Sequence, residues 1–318
     1  MMRFRFGGFP LLALVLALLS GCATQTKALL SASPADLPRQ VELKATPFIA
    51  QERYQCGPAA LAMSLRAAGF SADADALVPQ VYLPERKGSL QVEMLASARR
   101  NGAFSVKIPP RIDALVAELA GGRPVLVLQN LSLPFVPMWH YAVAIGYDLD
   151  RGDIILRSGL TERLVMPMST FEHTWARSGY WGMVTLAPGS LPTTASEADV
   201  LDAMVAFEKN NPPAAARQTY ALAVQRWPAN MGLVLGLGNT AYAAHDLQAA
   251  ADAYQRATEL RPDSGAAFNN LATALMELGR LKEARVAAER ALALGGPWRA
   301  AAVDTLAAIE RAEKTHTR

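Results

Sequence analysis

Apolar positions change their spacing several times along the chain, and each change marks a different kind of segment. Residues Leu11 to Leu19 form an unbroken apolar block behind Arg3 and Arg5. Between residues 47 and 188, short apolar runs alternate with helical spacings. The run Ala59 to Met63 and the stop at Gly69 predict a helix over 56–68, with Pro58 in its first turn, where a missing N–H costs nothing. A shorter helix follows over 73–81. Leu90, Met94, Leu95 and Ala98 then give one apolar face to a helix over 89–101 that ends at Gly102. Phe104 to Ile108 reads as a strand, 111–119 as a helix closed by Gly121 and Gly122, and Val125 to Leu128 as a buried strand. The apolar run His140 to Tyr147 reads as a core strand, joined through the turn formers Asp148 to Asp153 to another strand over 154–158. A strand near 164–166, a helix over 169–177 and a strand over 180–186 complete a mixed α+β domain over 47–188, its sheet mostly antiparallel toward the carboxyl end.

A polar Pro/Gly/Ser/Thr linker over 189–198 separates this domain from an alanine-rich helical region over 199–314. There the sequence repeats every 34 residues: Ala216, Ala250 and Ala284; Tyr220, Tyr254 and Ala288; Ala223, Ala257 and Ala291; Pro228 and Pro262; Leu237 and Leu271. The period and its small, aromatic and proline positions are similar to those of the tetratricopeptide repeat, which implies an all-α stack of helix pairs. Three units are visible, Glu197 to Asn230, Met231 to Ser264 and Gly265 to about Trp298, with 299–313 as a capping helix. Such a stack implies a concave surface for a peptide or a partner protein.

With 318 residues, 51 % of them hydrophobic, the chain has ample material for two packed cores, and disorder as the main state is excluded. Leu19-Ser20-Gly21-Cys22 behind the apolar block resembles the lipobox of bacterial lipoproteins. The resemblance implies a signal peptide over 1–21, lipidation of Cys22 and a membrane anchor. Ala23 after the cysteine implies an outer-membrane, periplasm-facing location. Residues 22–46, weakly apolar and containing Thr, Ser, Pro and Lys, read as a flexible tether. Removing residues 1–21 removes two arginines and no acid, so the net charge falls from +3 to 3 − 2 = +1, which offers no electrostatic case for nucleic acid. The two cysteines are Cys22 and Cys56, so a lipidated chain has no intrachain disulfide. The four histidines lack ligand-spaced companions, and we expect no metal and no cofactor.

Cys56 stands where an extended segment, Pro47 to Ala50, gives way to the apolar helix Cys56-Gly57-Pro58-Ala59-Ala60-Leu61-Ala62. A thiol at a helix N-terminus feels the positive end of the backbone dipole, which favours the thiolate. His140 opens the core strand and is the candidate base. His173 reads as a surface residue, while His245 and His316 belong to the repeats and the tail. A cysteine at a helix start with a strand histidine suits nucleophilic attack on a carbonyl. The oxyanion formed would need donors. Gln51, five residues before Cys56, can supply a side-chain N–H, with the Cys56 backbone N–H as the second donor; Gln55 is the competing choice.

These motifs resemble the papain-like family that includes the double-glycine peptidases of bacteriocin exporters, and more closely bacterial lipoproteins that join such a domain to tetratricopeptide repeats. The resemblance implies an α+β peptidase fold with Cys56 as nucleophile, His140 as general base and Gln51 as oxyanion donor. Two departures stand out. The family's glutamine usually lies six residues before the cysteine, where this chain has Ala50. The family's third residue is an aspartate on the strand after the histidine, where this chain reads Ile154 to Gly159, leaving Ser158 at or beside the position that orients the histidine. Asp148, eight residues along one strand from His140, would be about 26 Å away at ~3.3 Å per residue. No exporter segment follows, so leader cleavage at a transporter is not implied. Three functions stay open: a membrane-anchored cysteine peptidase whose repeats recruit substrate or partner, a catalytically silent peptidase-like binding module, and an acyl or amide transferase working through the same thioester.

Overall fold

The computed structural model describes residues 23–51 and 55–316. The expected signal peptide over 1–21 and Cys22 lie outside the described residues. Seven strands make one sheet in the order β4 (Phe104–Lys107), β9 (Gly182–Leu186), β5 (Val125–Asn130), β6 (Trp139–Asp148), β7 (Asp153–Ser158), β8 (Thr161–Pro167), with β1 (Gln40–Glu42) paired to β6. All of these pairings are antiparallel. One edge of β6 serves two strands: β5 covers its residues 139–144 and β1 its residues 146–148. Gly146 permits the second pairing, because a Cβ there would sit 2.3 Å from the Val41 carbonyl oxygen.

Alternation along β5 and β6 creates two cores, one on each face of the sheet. Val125, Val127, Ala142 and Ala144 face α5 (Ile112–Ala120) and α6 (Met168–Ala176). Leu126, Leu128, Tyr141, Val143 and Ile145 face α2 (Cys56–Ala67), α3 (Ala74–Val81) and α4 (Gln91–Arg100). The helix expected over 89–101 therefore starts two residues late. Ser89 instead pairs with Tyr82 in a small hairpin of β2 (Tyr82–Leu83) and β3 (Gly88–Ser89), and extended backbone at Leu90 delays the first turn.

The flexible tether expected over 22–46 is not what the structure contains. Residues Thr24–Ser31 form α1, with Leu29 in the core. The buried Glu172 carboxylate accepts from the backbone N–H groups of Gln25 (3.1 Å) and Thr26 (2.7 Å), and Gln25 Oε1 accepts from Ile112 N–H (2.8 Å). Two N–H groups that the start of α1 leaves without helical partners are thus satisfied by a residue 146 positions away from Thr26. Composition suggested mobility because the segment cannot bury enough of itself; it is ordered by burying itself in the domain.

The linker over 189–198 is likewise fixed. The Glu118 carboxylate, fully buried, accepts from the backbone N–H groups of Thr193 (3.0 Å) and Thr194 (2.7 Å) and from Thr194 Oγ1 (2.7 Å). Beyond it run α7 (Glu197–Glu208), α8 (Pro213–Arg226), α9 (Met231–Ala243), α10 (Leu247–Leu260), α11 (Gly265–Glu277), α12 (Leu281–Leu294) and α13 (Arg299–His316). They form three helix pairs and a last helix, as the 34-residue period implies. Ser196, Asn230, Asp246 and Ser264 cap four of them through side-chain oxygens. The two regions share a core: the Phe104 and Phe207 rings meet edge to face at 6.0 Å, and one apolar cluster runs from the sheet into α9 and beyond. Among the described residues no helix is long and apolar enough to cross a membrane.

Candidate active site

The first residue of α2 is Cys56, and Gly57 behind it lets the small hairpin close over the helix start. A Cβ at Gly57 would lie 2.2 Å from Ser89 Oγ. Opposite, Tyr141 ties β6 to the same hairpin by donating its hydroxyl to the Ser89 carbonyl (3.1 Å). The backbone N–H groups of Tyr141, Gly57 and Cys56 itself point at the Cys56 sulfur and pull its pKa down. Burial outweighs them and pushes the thiol above its ordinary value. The sequence expectation that the helix start favours the thiolate is therefore reversed in the resting protein. Desolvation disfavours the charged form of a buried thiol more than three N–H dipoles stabilise it.

His140 sits at the start of β6, half-buried, in register with Gln129 of β5. Its Nε2 lies 2.9 Å from Ser158 Oγ. When that nitrogen carries the proton and the hydroxyl accepts it, Nδ1 keeps the lone pair that a base requires. Burial pushes the imidazole pKa down. Both shifts favour the uncharged thiol and imidazole over the thiolate–imidazolium pair. Asp148 stands at the far end of β6, on the turn at Asp150 and Arg151, whose N–H groups hold its carboxyl below the usual range. It takes no part in the site.

Gln51, not Ala50, is the buried residue of the approach segment; Ala50 is exposed. The Gln51 backbone N–H donates to the Gly159 carbonyl (3.2 Å), its Oε1 accepts from Gly159 N–H (3.2 Å), and its Nε2 donates to the Tyr141 carbonyl at 3.4 Å. The amide thus bridges the turn after Ser158 and the strand start after His140, and its second N–H meets no acceptor among the described residues. Gln55 occupies the N-cap of α2 and does not line the cleft. His173 and His245 are exposed, and the side chain of His316 lies outside the described residues.

One cleft of about 840 Å³ brings Gln51, Cys56, Ser89, His140, Tyr141 and Gly159 together. Several of its parts were invisible in the sequence. Arg157, buried, donates through Nη2 to the Thr46 carbonyl (3.0 Å) and so fixes the segment leading to Gln51 against β7. Ser89 reaches the thiol region only through the hairpin, whose two-residue strands carry no periodic signal. The shift of register between Leu156 and Ser158, which accompanies the turn of β7 into Gly159, also has no local sequence mark.

Residues 43–183 match the model of the Peptidase_C39 like family. A crystal structure described as a C39-like peptidase from Bacillus anthracis is 20 % identical over 47 % of this chain and 98 % of its own, with a TM-score of 0.40. The Sgt2 TPR domain from Aspergillus fumigatus is 22 % identical over 39 % of this chain and 83 % of its own (TM-score 0.35). MamA is 19 % identical over 38 % of this chain and 81 % of its own (TM-score 0.31). No curated protein matches the chain in sequence. The α+β part of the chain is a Peptidase_C39-like domain, and the paired helices with their 34-residue period make the remainder tetratricopeptide-like.

Proposed function

We propose that the chain is an envelope cysteine peptidase that hydrolyses peptide bonds, anchored through lipidated Cys22 at the outer membrane and facing the periplasm, with its repeats recruiting substrate or a partner. The observation that supports the catalytic reading is the pairing of His140 Nε2 with Ser158 Oγ at 2.9 Å, His140 lining the same cleft as Cys56. Because the resting pair is uncharged, His140 Nδ1 takes the thiol proton as the sulfur attacks the carbonyl, and no thiolate need preexist. The Cys56 backbone N–H and the remaining Gln51 N–H are the donors for the oxyanion. The protonated imidazole then delivers its proton to the leaving amine, and water attacks the thioester to release the acid.

The position of Ser158 also favours a second reading, a catalytically silent binding module, since a hydroxyl orients an imidazole but does not stabilise its cation as a carboxylate does. Acyl or amide transfer through the same thioester is the third. One experiment separates them: the full chain is incubated with a defined peptide library and the products are weighed by mass spectrometry, with Cys56→Ala as control. Hydrolysis adds water and disappears in Cys56→Ala; transfer adds the acceptor amine; unchanged peptides bound equally by both proteins sink the enzyme readings. Anchoring is tested separately, by the mass of the amino-terminal peptide from the mature protein, where a diacylglyceryl cysteine is expected.

A further inference from the structure

The loop between β5 and β6 holds apolar side chains out of the molecule. Leu131, Leu133, Phe135, Val136, Met138 and Trp139 each expose 45–79 % of their surface. No Lys, Arg, Asp or Glu occurs from Pro124 to Tyr147. The loop is nevertheless fixed by its own hydrogen bonds. Buried Asn130 accepts through Oδ1 from the N–H groups of Ser132 (3.0 Å) and Met138 (2.9 Å). Leu131 N–H donates to the Met138 carbonyl (2.9 Å) and Val136 N–H to the Leu133 carbonyl (3.1 Å). Arg177, at the end of α6, closes the base by donating through Nη1 to the carbonyls of Asn130 (3.2 Å) and Ser132 (2.9 Å). An apolar patch held open on a fixed projection marks a surface that something apolar covers.

We propose that loop 131–139 seats in the surface of a lipid bilayer. Its backbone is suited to that medium, where an unpaired polar group finds no water. Pro134 and Pro137 bring no N–H at all, and of the other donors from Leu131 to Met138 only those of Leu133 and Phe135 lack an acceptor among the described residues. The same pairing leaves an incoming peptide strand few main-chain partners. Leu, Phe and Trp side chains without a neighbouring charge are the composition of an interfacial anchor. The start of the ordered chain points the same way. Helix α1 begins at Thr24, and Ala23 lies beside Pro167 and Ser169 at the start of α6. A lipid on Cys22 would therefore be attached about 3.8 Å of chain from Ala23, with no tether to hold the domain clear of the bilayer. From there to Arg177 and the loop is the length of α6, nine residues or about 13 Å. Pro137, Met138 and Trp139 also line the cleft of Cys56 and His140, so a lipid-seated loop puts the mouth of that cleft at the membrane surface. The inference takes its bilayer from the anchored reading above, while the loop's own affinity is measured without the anchor.

The test uses the mature chain over residues 22–318 carrying Cys22→Ser, which keeps every described residue and removes the expected leader and lipid. It is sedimented with vesicles of phosphatidylcholine and with vesicles of phosphatidylethanolamine containing a quarter phosphatidylglycerol. The chain should bind both, with little loss as salt is raised, because apolar burial and not headgroup charge drives it. The triple variant Leu133→Ser/Phe135→Ser/Val136→Ser should bind at least about tenfold more weakly to both. A second arm reads depth: Phe135→Cys in a Cys56→Ala background carries an environment-sensitive fluorophore, which lipids brominated in their acyl chains should quench. The same fluorophore at Val286→Cys, exposed on α12, should stay unquenched. No vesicle binding, equal binding by the triple variant, loss of binding in high salt, or an unquenched label at position 135 overturns the proposal. A dimer that the triple variant dissolves, in a chain that ignores vesicles, assigns the loop to a second copy and overturns it too. If the mature amino terminus carries no lipid but the loop still enters vesicles, the anchor fails and the lipid-seated loop stands.

Discussion

His140 Nε2 and Ser158 Oγ meet at 2.9 Å across the β6–β7 edge, so the imidazole of the site is oriented by a hydroxyl. Removing that contact in Ser158→Ala should lower kcat by about five- to tenfold, the kinetic equivalent of ~1 kcal/mol. Replacing it with a carboxylate in Ser158→Asp should raise the His140 pKa by about one to three units, because a neighbouring negative charge favours the imidazolium. Alkylation of Cys56 at neutral pH should then accelerate in Ser158→Asp and return to the wild-type rate in Ser158→Asn. Identical alkylation rates in all three proteins would show that position 158 has no electrical hold on the pair.

The direction of the two pKa shifts fixes the resting pH behaviour. Burial raises Cys56 and lowers His140. A raised thiol pKa means that the alkylation rate of the full chain keeps climbing as pH passes the ~8.5 of a free thiol. A lowered imidazole pKa means that His140 stays an unprotonated base until pH falls below ~6.5. An alkylation profile read by mass spectrometry and an NMR titration of the His140 ring measure the two separately. A rate plateau below neutrality would reveal a preformed thiolate and contradict the uncharged pair.

Glu172 should hold the amino-terminal helix in place. Its carboxylate satisfies the N–H groups of Gln25 and Thr26 at the start of α1. Glu172→Ala leaves both donors without that partner, at a cost of about 1–3 kcal/mol. Hydrogen exchange over residues 24–31 should therefore speed up strongly, with the sheet strands β5 and β6 unaffected. Unchanged protection of α1 would mean that Leu29 and its apolar neighbours suffice to hold it.

Phe207, on the first repeat helix, packs edge to face on Phe104 of the sheet domain. Both are fully buried in one apolar cluster, so Phe207→Ala should cost about 3–5 kcal/mol, and the loss should be felt on both sides of the linker. In urea unfolding followed by hydrogen exchange, β4 and α7 should lose protection together. Loss confined to the helices would show that the two regions unfold independently.

Local spacing determined most of the elements of this protein. The periods of two in the strands, of 3.6 in the helices and of 34 in the repeats are written within a few dozen residues, which is why the strands at Phe104, Val125, His140 and Gly182 and the paired helices after Glu197 were legible. The placement of Cys56 and His140 was legible for the same reason, since a helix start and a strand start are local features. Tertiary structure alone decided the rest. The thiol's pKa moved up rather than down because burial depends on what covers α2. Residues 23–46 were not a free tether because Glu172, far along the chain, supplies the partners that α1 lacks. Gln51 rather than Ala50 entered the cleft because Gly159 and Tyr141 hold its amide. Ser89 reached the cleft because a two-residue hairpin folds over the start of α2. Contacts between residues distant in sequence leave no periodic trace, and burial is a property of the assembled molecule.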